Sequence, residues 1–318
     1  MPGVDWPVER LKRYQGSFPA PEDFGLFWKK KKQEIEKIKP DICQERVIFP
    51  GEKLRYYRIS VKAVDGCVLR AKYICPDTEK RFPTEVVFHD YPQASRGWFY
   101  LGRYAAIGRG VLAPDCRGQG GESDSGFCGK GPTAYGPMFN GLEDVVDNMY
   151  LCRLIEDAFL WITVAEALPY VDKEELTVYG EGQGGGLAVA CAALYPEIRK
   201  CGAHYPMLCD YKRVWEMDFD EGAYEGLRYF FCWRDPLHER EEELFKKLSY
   251  VDVKNFAPMV KAKTLMSTGL LDRVSPPSAQ FSVFNGLQCE KQHLIYPKHG
   301  HERNNFFENE HLKFLLEG

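Results

Sequence analysis

The sequence contains no run of 18 apolar residues, so no segment reads as a membrane-spanning helix. Its first residues, Met-Pro-Gly-Val-Asp-Trp, lack the apolar centre of a signal peptide, and a cytoplasmic protein is expected. Among 11 cysteines there is no C-x-x-C pair, and the odd count argues against a disulfide framework. Several thiols (Cys152, Cys191, Cys232) lie in apolar stretches, where a thiol behaves as a small hydrophobe. Basic excess is also absent: 42 Lys+Arg against 46 Asp+Glu leaves a net charge of −4, with no footprint for nucleic acid. His89 and His204 do not stand at metal-ligand spacing from their neighbouring acids, and neither a metal nor a cofactor is implied. No internal repeat or low-complexity tract occurs.

What is present is an ordinary globular composition, 44% hydrophobic and 28% charged over 318 residues, enough for one large core. Residues 1–318 are expected to form a single domain, with an N-terminal arm over 1–40 and an insertion over about 210–255. The arm is rich in aromatics up to Phe27-Trp28 and continues as a charged helix, Lys29 to Lys37. From Glu45 to Cys75 the alternation is β-like, and Asp65-Gly66 marks an antiparallel hairpin. Short apolar strands follow (Glu85–Phe88, Gly110–Ala113, one near Cys201, Leu176–Tyr179, Thr264–Ser267, His293–Tyr296), separated by longer segments, several of them helical in character. This pattern predicts an α/β fold with a mostly parallel sheet, antiparallel N-terminal strands and helices on both faces. The clearest helix is predicted over about Leu142 to Leu168, with Val145, Met149, Cys152, Ile155, Phe159 and Ile162 along one face and Pro169 as its stop.

Val178-Tyr-Gly-Glu-Gly-Gln-Gly-Gly-Gly-Leu187 leaves an apolar strand and enters an Ala/Leu-rich helix. Gly180-x-Gly182-x-x-Gly185 matches the dinucleotide fingerprint, whereas Gly180-Glu-Gly182-Gln-Gly184 matches a G-x-S-x-G nucleophile elbow with glycine in place of serine. A dinucleotide fold normally opens with its motif and carries an acid about 20 residues on, after the next strand. Here several strands precede the motif, and the region beyond it, Cys201-Gly-Ala-His-Tyr-Pro, offers only a late Asp210. The elbow instead requires an acid and then a histidine further along. Asp272 follows the strand Thr264–Ser267, and His301 follows His293–Tyr296, in that order.

At these residues the chain resembles the acetyl xylan esterase and cephalosporin C deacetylase family of α/β-hydrolases. The similarity extends from Asp5-Trp-Pro-Val-Glu-Arg-Leu and Asp23-Phe-Gly-Leu-Phe-Trp28 through Phe88-His-Asp-Tyr91, Asp115-Cys-Arg-Gly-Gln-Gly120, Gly182-Gln-Gly-Gly-Gly186, Leu248-Ser-Tyr-Val-Asp-Val-Lys-Asn255, Gly269-Leu-Leu-Asp272 with Pro276-Pro277, to His301-Glu302. The resemblance implies a serine esterase that removes acetyl groups from small acetylated sugars and cephalosporin C-like esters, assembled as a homohexamer. In such enzymes the elbow reads Gly-Gly-Ser-Gln-Gly-Gly; this chain has Gly182 at the nucleophile position and Glu181 before it.

His301 and Asp272 are therefore the expected base and its orienting acid, with His299 a structural neighbour. The oxyanion hole is assigned to the backbone N–H groups of Tyr91 and Gln183. Arg117 and Gln119 read as supports, Cys116 and Cys209 as core thiols, and Glu181 either as a surface charge or as a holder of water. The expected partner is a small acetylated sugar or acetyl ester, turned over only at trace rate for want of a hydroxyl. Restoring that hydroxyl by Gly182→Ser is expected to suffice for ester hydrolysis. A non-catalytic acetyl-sugar-binding protein is the alternative, and a dinucleotide-binding oxidoreductase a lower one.

Overall fold

The computed structural model describes residues 3–38, 40–126, 135–219 and 222–317. The arm and the insertion inferred from sequence each include residues outside this set (1, 2 and 39; 220 and 221).

Among the described residues nine strands form one sheet: β1 (Cys43–Val47), β2 (Leu54–Lys62), β3 (Val68–Pro76), β4 (Phe82–Phe88), β5 (Gly110–Pro114), β6 (Val171–Glu181), β7 (Lys200–His204), β8 (Lys263–Gly269) and β9 (Lys291–Tyr296). Their spatial order is β1-β2-β3-β5-β4-β6-β7-β8-β9. β1, β2, β3 and β5 pair antiparallel, and all remaining pairings are parallel. β2 turns into β3 where Asp65 Oδ1 accepts the Cys67 N–H and Gly66 takes φ +84°. Beyond the hairpin, β5 and β7 are buried along their whole length, as expected of strands covered on both faces.

The principal helices are α1 (Phe24–Glu36), α2 (Tyr150–Ala167), α3 (Gln183–Leu194), α4 (Pro277–Gly286) and α5 (Asn305–Leu316). α3 is buried from end to end, so it reads as apolar all round rather than striped. α2 starts later than the periodicity predicts. Residues 141–149 turn back on themselves: Gly141 has φ +79°, a side chain there would overlap the Asn148 carbonyl, and Met149 is extended. Val145, counted on the buried face from sequence, is therefore 62% exposed, while Met149, Cys152, Ile155, Phe159 and Ile162 are buried. The helix stops at Leu168, held extended before Pro169.

α1 starts at Phe24, before the charged segment, because Phe24 and Trp28 anchor it. Trp28 is fully buried, packs on Phe256 at 5.0 Å and donates its Nε1–H to the Tyr250 carbonyl at 2.7 Å. Asp210 holds the chain before this helix, accepting from Tyr14 Oη (2.8 Å) and Ser17 Oγ (2.6 Å). The 210–255 segment carries short helices at Tyr211–Glu216, Glu225–Arg234, Glu241–Ser249 and Val253–Phe256. Cys232, counted with the apolar thiols from sequence, is exposed on one of them. No helix among the described residues is long and apolar enough to cross a membrane.

Candidate active site

The loops after β4, β6, β8 and β9 meet beyond the C-terminal ends of parallel strands, where open α/β sheets place their ligands. β6 ends at Glu181, and the chain enters α3 through Gly182 at φ +53°, ψ −116°, a backbone conformation that glycine adopts at least cost. The neighbouring glycines serve close packing. A side chain on Gly180 would overlap the Gly184 backbone, and one on Gly184 would overlap the Phe88 carbonyl. The dinucleotide match is thus accounted for by strand-to-helix contact.

The loop after β8 supplies Asp272, fully buried. Its Oδ1 accepts the N–H groups of Val274 (2.8 Å) and Ser275 (2.9 Å), and its Oδ2 accepts Gln280 Nε2 at 2.9 Å. His301, from the loop after β9, places Nδ1 2.8 Å from the same Oδ2. The structure therefore brings together the two side chains that the sequence paired. His299 contributes its backbone carbonyl, which accepts the Leu271 N–H at 2.9 Å, and its ring packs at a tilt against Tyr296.

The position facing His301 Nε2 is filled by a side chain to which the sequence reading gave no role. Asp90, just after β4, sets Oδ2 3.2 Å from Nε2. Its Oδ1 accepts the backbone N–H of Tyr91 at 2.8 Å and that of Gln183 at 2.9 Å. Both N–H groups assigned to an oxyanion hole are thus already bonded, to a carboxylate of the chain itself. A Cβ built on Gly182 would overlap Asp90 Oδ1, so the carboxylate uses space that any side chain at 182 would claim. It also caps α3 with negative charge where a pyrophosphate would have to lie, which argues against nucleotide binding.

Burial would push the His301 imidazole down, but its hydrogen bonds to Asp272 and Asp90 outweigh that and raise it to about 10. At neutral pH the ring is an imidazolium between two carboxylates and cannot accept a proton. The Tyr205 ring packs edge-on against it at 4.7 Å. His89 fixes the Asp90 backbone from below: Nδ1 lies 2.8 Å from the Asp90 carbonyl, and Nε2 accepts the Cys116 N–H at 2.9 Å. Burial lowers the His89 pKa and keeps that ring neutral. His204 is likewise pushed well down by burial and stacks on Phe307 at 4.2 Å.

Gln183 is held by its side chain as well as by its backbone N–H. It is fully buried, exchanging amide hydrogen bonds with Gln119 (2.8 and 3.1 Å) and donating to Cys116 Sγ at 3.3 Å. Glu181 is buried and is not a surface charge. It turns away into an ion pair with Arg96 Nη2 at 2.7 Å, with Arg303 Nε at 3.4 Å and Tyr179 Oη at 3.1 Å. Burial raises the Cys116 and Cys209 thiols well above their usual range, so both stay protonated. Among the described residues no group of three His, Cys, Asp or Glu is placed to hold a metal ion.

The model of one family, acetyl xylan esterase (AXE1), matches residues 1–317. The chain belongs to the acetyl xylan esterase family. In three dimensions it is similar to acetyl xylan esterase 1 from Thermoanaerobacterium sp. JW/SL YS485, with a TM-score of 0.95 and 39% identity over 98% of both chains. It is also similar to the acetyl xylan esterase from Paenibacillus sp. R4, with a TM-score of 0.93 and 29% identity over 98% of this chain and 99% of that one. The acetyl esterase Axe7A of Xylanibacter ruminicola is 25% identical over 308 residues, 94% of this chain; the chain spans 66% of the length of that curated relative. The fold is that of the α/β-hydrolases.

Asp90 stands inside Phe88-His-Asp-Tyr91, one of the segments that carried the resemblance, and its neighbour Tyr91 was singled out for a main-chain N–H. The available signal was a carboxylate directly before an N–H donor, in a chain with no side chain at 182 to exclude it.

Proposed function

We propose that this chain carries the site of a carbohydrate acetyl esterase in a self-occupied form. Its framework suits small acetylated xylo-oligosaccharides and related acetyl esters of the cephalosporin C type, which it turns over only at trace rate. In a complete site of this kind a hydroxyl at 182 attacks the acetyl carbonyl, His301 takes its proton and later protonates the leaving alcohol, and Asp272 steadies the imidazolium. The N–H groups of Tyr91 and Gln183 hold the oxyanion.

The observation that carries the reading is the bonding of Asp90 Oδ1 to those two N–H groups, with Oδ2 on His301. That carboxylate occupies the place of the acyl oxygen and keeps the base protonated, and Gly182 supplies no nucleophile. A purely acetyl-sugar-binding role meets the same obstacle, since an acetyl carbonyl would compete with an ionised carboxylate for the same donors. The unpaired state of the described cysteines supports a reducing, cytoplasmic setting, and assembly as a homohexamer is carried over from the family resemblance.

Release of acetate from acetylated xylo-oligosaccharides and from p-nitrophenyl acetate tests the reading. The chain is expected to be no faster than its own His301→Ala variant. A turnover of about 1 s⁻¹ or more, within the ordinary enzyme range, would sink it.

A further inference from the structure

We propose that Asp90 is a carboxylate nucleophile for an activated alkyl carbon, so that the site hydrolyses alkyl halides or kindred alkyl electrophiles rather than acyl esters. The inference rests on the same placement of Asp90 as the proposed function and asks what that placement can do.

Attack of a carboxylate on an acetyl ester is a poor step. It would give a mixed anhydride by expelling a sugar alkoxide, a far worse leaving group than the aspartate itself, whose ordinary pKa is about 3.9. The substrate carbonyl would also find both N–H donors taken. Neither objection applies at a saturated carbon, where no carbonyl oxygen needs the donors during attack. They are needed in the second half, when the Asp90 carboxyl carbon becomes tetrahedral, and they already hold the oxygen that then bears the charge. Asp90 and His301 keep part of their side chains open to solvent, 7% and 13%, while Asp272 is sealed beneath them.

In the first step Asp90 Oδ2 bonds to the alkyl carbon and the carbon–halogen bond breaks, the electron pair leaving with the halide. The product is an alkyl ester of Asp90. Esterification removes one of the two negative charges that hold a proton on His301, and the imidazolium releases that proton to solvent. Neutral His301 Nε2 then takes a proton from water as its oxygen attacks the Asp90 carboxyl carbon. The resulting oxyanion sits on Oδ1, against the N–H groups of Tyr91 and Gln183. Collapse breaks the bond between the carboxyl carbon and Oδ2; the departing alkoxide takes the proton from His301, and the new carboxyl group returns its own proton to the ring. The balance is alkyl halide plus water giving alcohol, halide and one proton. Asp90 ends as a carboxylate carrying one oxygen from water.

The probe is 1-bromobutane. Bromide release by the full chain is expected to exceed that of Asp90→Asn by at least about 10²-fold, a fraction of what loss of a catalytic nucleophile typically costs. In His301→Ala the first step is expected to proceed and the second to stall, so mass spectrometry of the digested protein finds one butyl group, on Asp90. A third readout needs no variant: in ¹⁸O-water the first turnover is expected to give unlabelled butanol, because the alcohol oxygen comes from Asp90. Labelled butanol in that turnover, or butyl groups on exposed carboxylates with none on Asp90, would overturn the proposal. Rapid acetate release by the unaltered chain would refute the proposed function, whereas failure with 1-bromobutane alone would refute only the alkyl chemistry.

Discussion

The Asp90→Ala/Gly182→Ser double variant is expected to hydrolyse p-nitrophenyl acetate at least about 10²-fold faster than the unaltered chain, while Gly182→Ser alone stays about tenfold or more below the double. From sequence the single change was expected to suffice. The geometry leads to a different expectation, because a side chain at 182 would overlap Asp90 Oδ1. Even if the serine displaced the carboxylate part-way, an ionised group beside His301 Nε2 would keep the ring charged and unable to take the hydroxyl proton. Removing the carboxylate frees the N–H groups of Tyr91 and Gln183 and leaves His301 with Asp272 alone. The two changes are therefore coupled: each removes an obstacle that makes the other ineffective. Adding His301→Ala to the double variant is expected to abolish the gain. A fully active single variant would mean that Asp90 moves aside freely; an inactive but folded double would mean that more than positions 90 and 182 stands in the way of ester hydrolysis.

Arg117→Ala is expected to cost about 3–5 kcal/mol of stability at neutral pH, read from urea unfolding, because it strands a buried carboxylate. The guanidinium is almost fully buried, with Nε and Nη2 at 2.5 and 2.7 Å from the two oxygens of Asp157 and Nη1 at 2.6 Å from Asp65 Oδ2. Burial pushes Asp157 up to about 6, with Arg117 opposing the rise. Without the arginine it rises further. A carboxyl group raised in the folded state binds more protons there than in the unfolded chain, so its stability contribution falls as pH rises through the window between the two values. In the variant that window is wider. The penalty is therefore expected to shrink on acidification towards pH 4 and to be largest above about 6. Arg117→Lys keeps the charge but not the two-pronged geometry and is expected to recover only part of the loss. A loss independent of pH would mean that the arginine acts through packing alone.

The main sheet was legible because its central parallel strands are buried on both faces and read as apolar runs; the structure lengthens them by a few residues into less apolar ends, as in β6 from Val171 to Glu181. The start of α2 was not legible. The apolar spacing continues upstream through Val145, and only the contact between Gly141 and Asn148 shows that the chain folds back there. Asp272 and His301 could be paired from their order and from the strands preceding them, since the topology delivers both to one sheet edge. Asp90 could not be read in the same way. Sequence places it next to Tyr91, but its carboxylate turns over the N–H of its own neighbour and reaches Gln183, 93 positions away, only because nothing projects from Gly182. Glu181 was ambiguous for a related reason: its partners Arg96 and Arg303 lie on other loops.

Asp90 lies in the site as a charged partner of His301, and titration of the His301 ring by ¹⁵N NMR reads that pairing. In the unaltered chain the imidazole is expected to stay protonated through neutral pH and to lose its proton near 10. Because that value lies above the unfolded one, the stabilisation it represents is complete below about pH 6.5 and is lost as pH rises through 10. In Asp90→Asn the titration is expected to move down, with Asp272 the remaining carboxylate on the ring. A His301 that titrates near 6.5 in the unaltered chain, and does not respond to the change at Asp90, would mean that Asp90 does not pair with the ring.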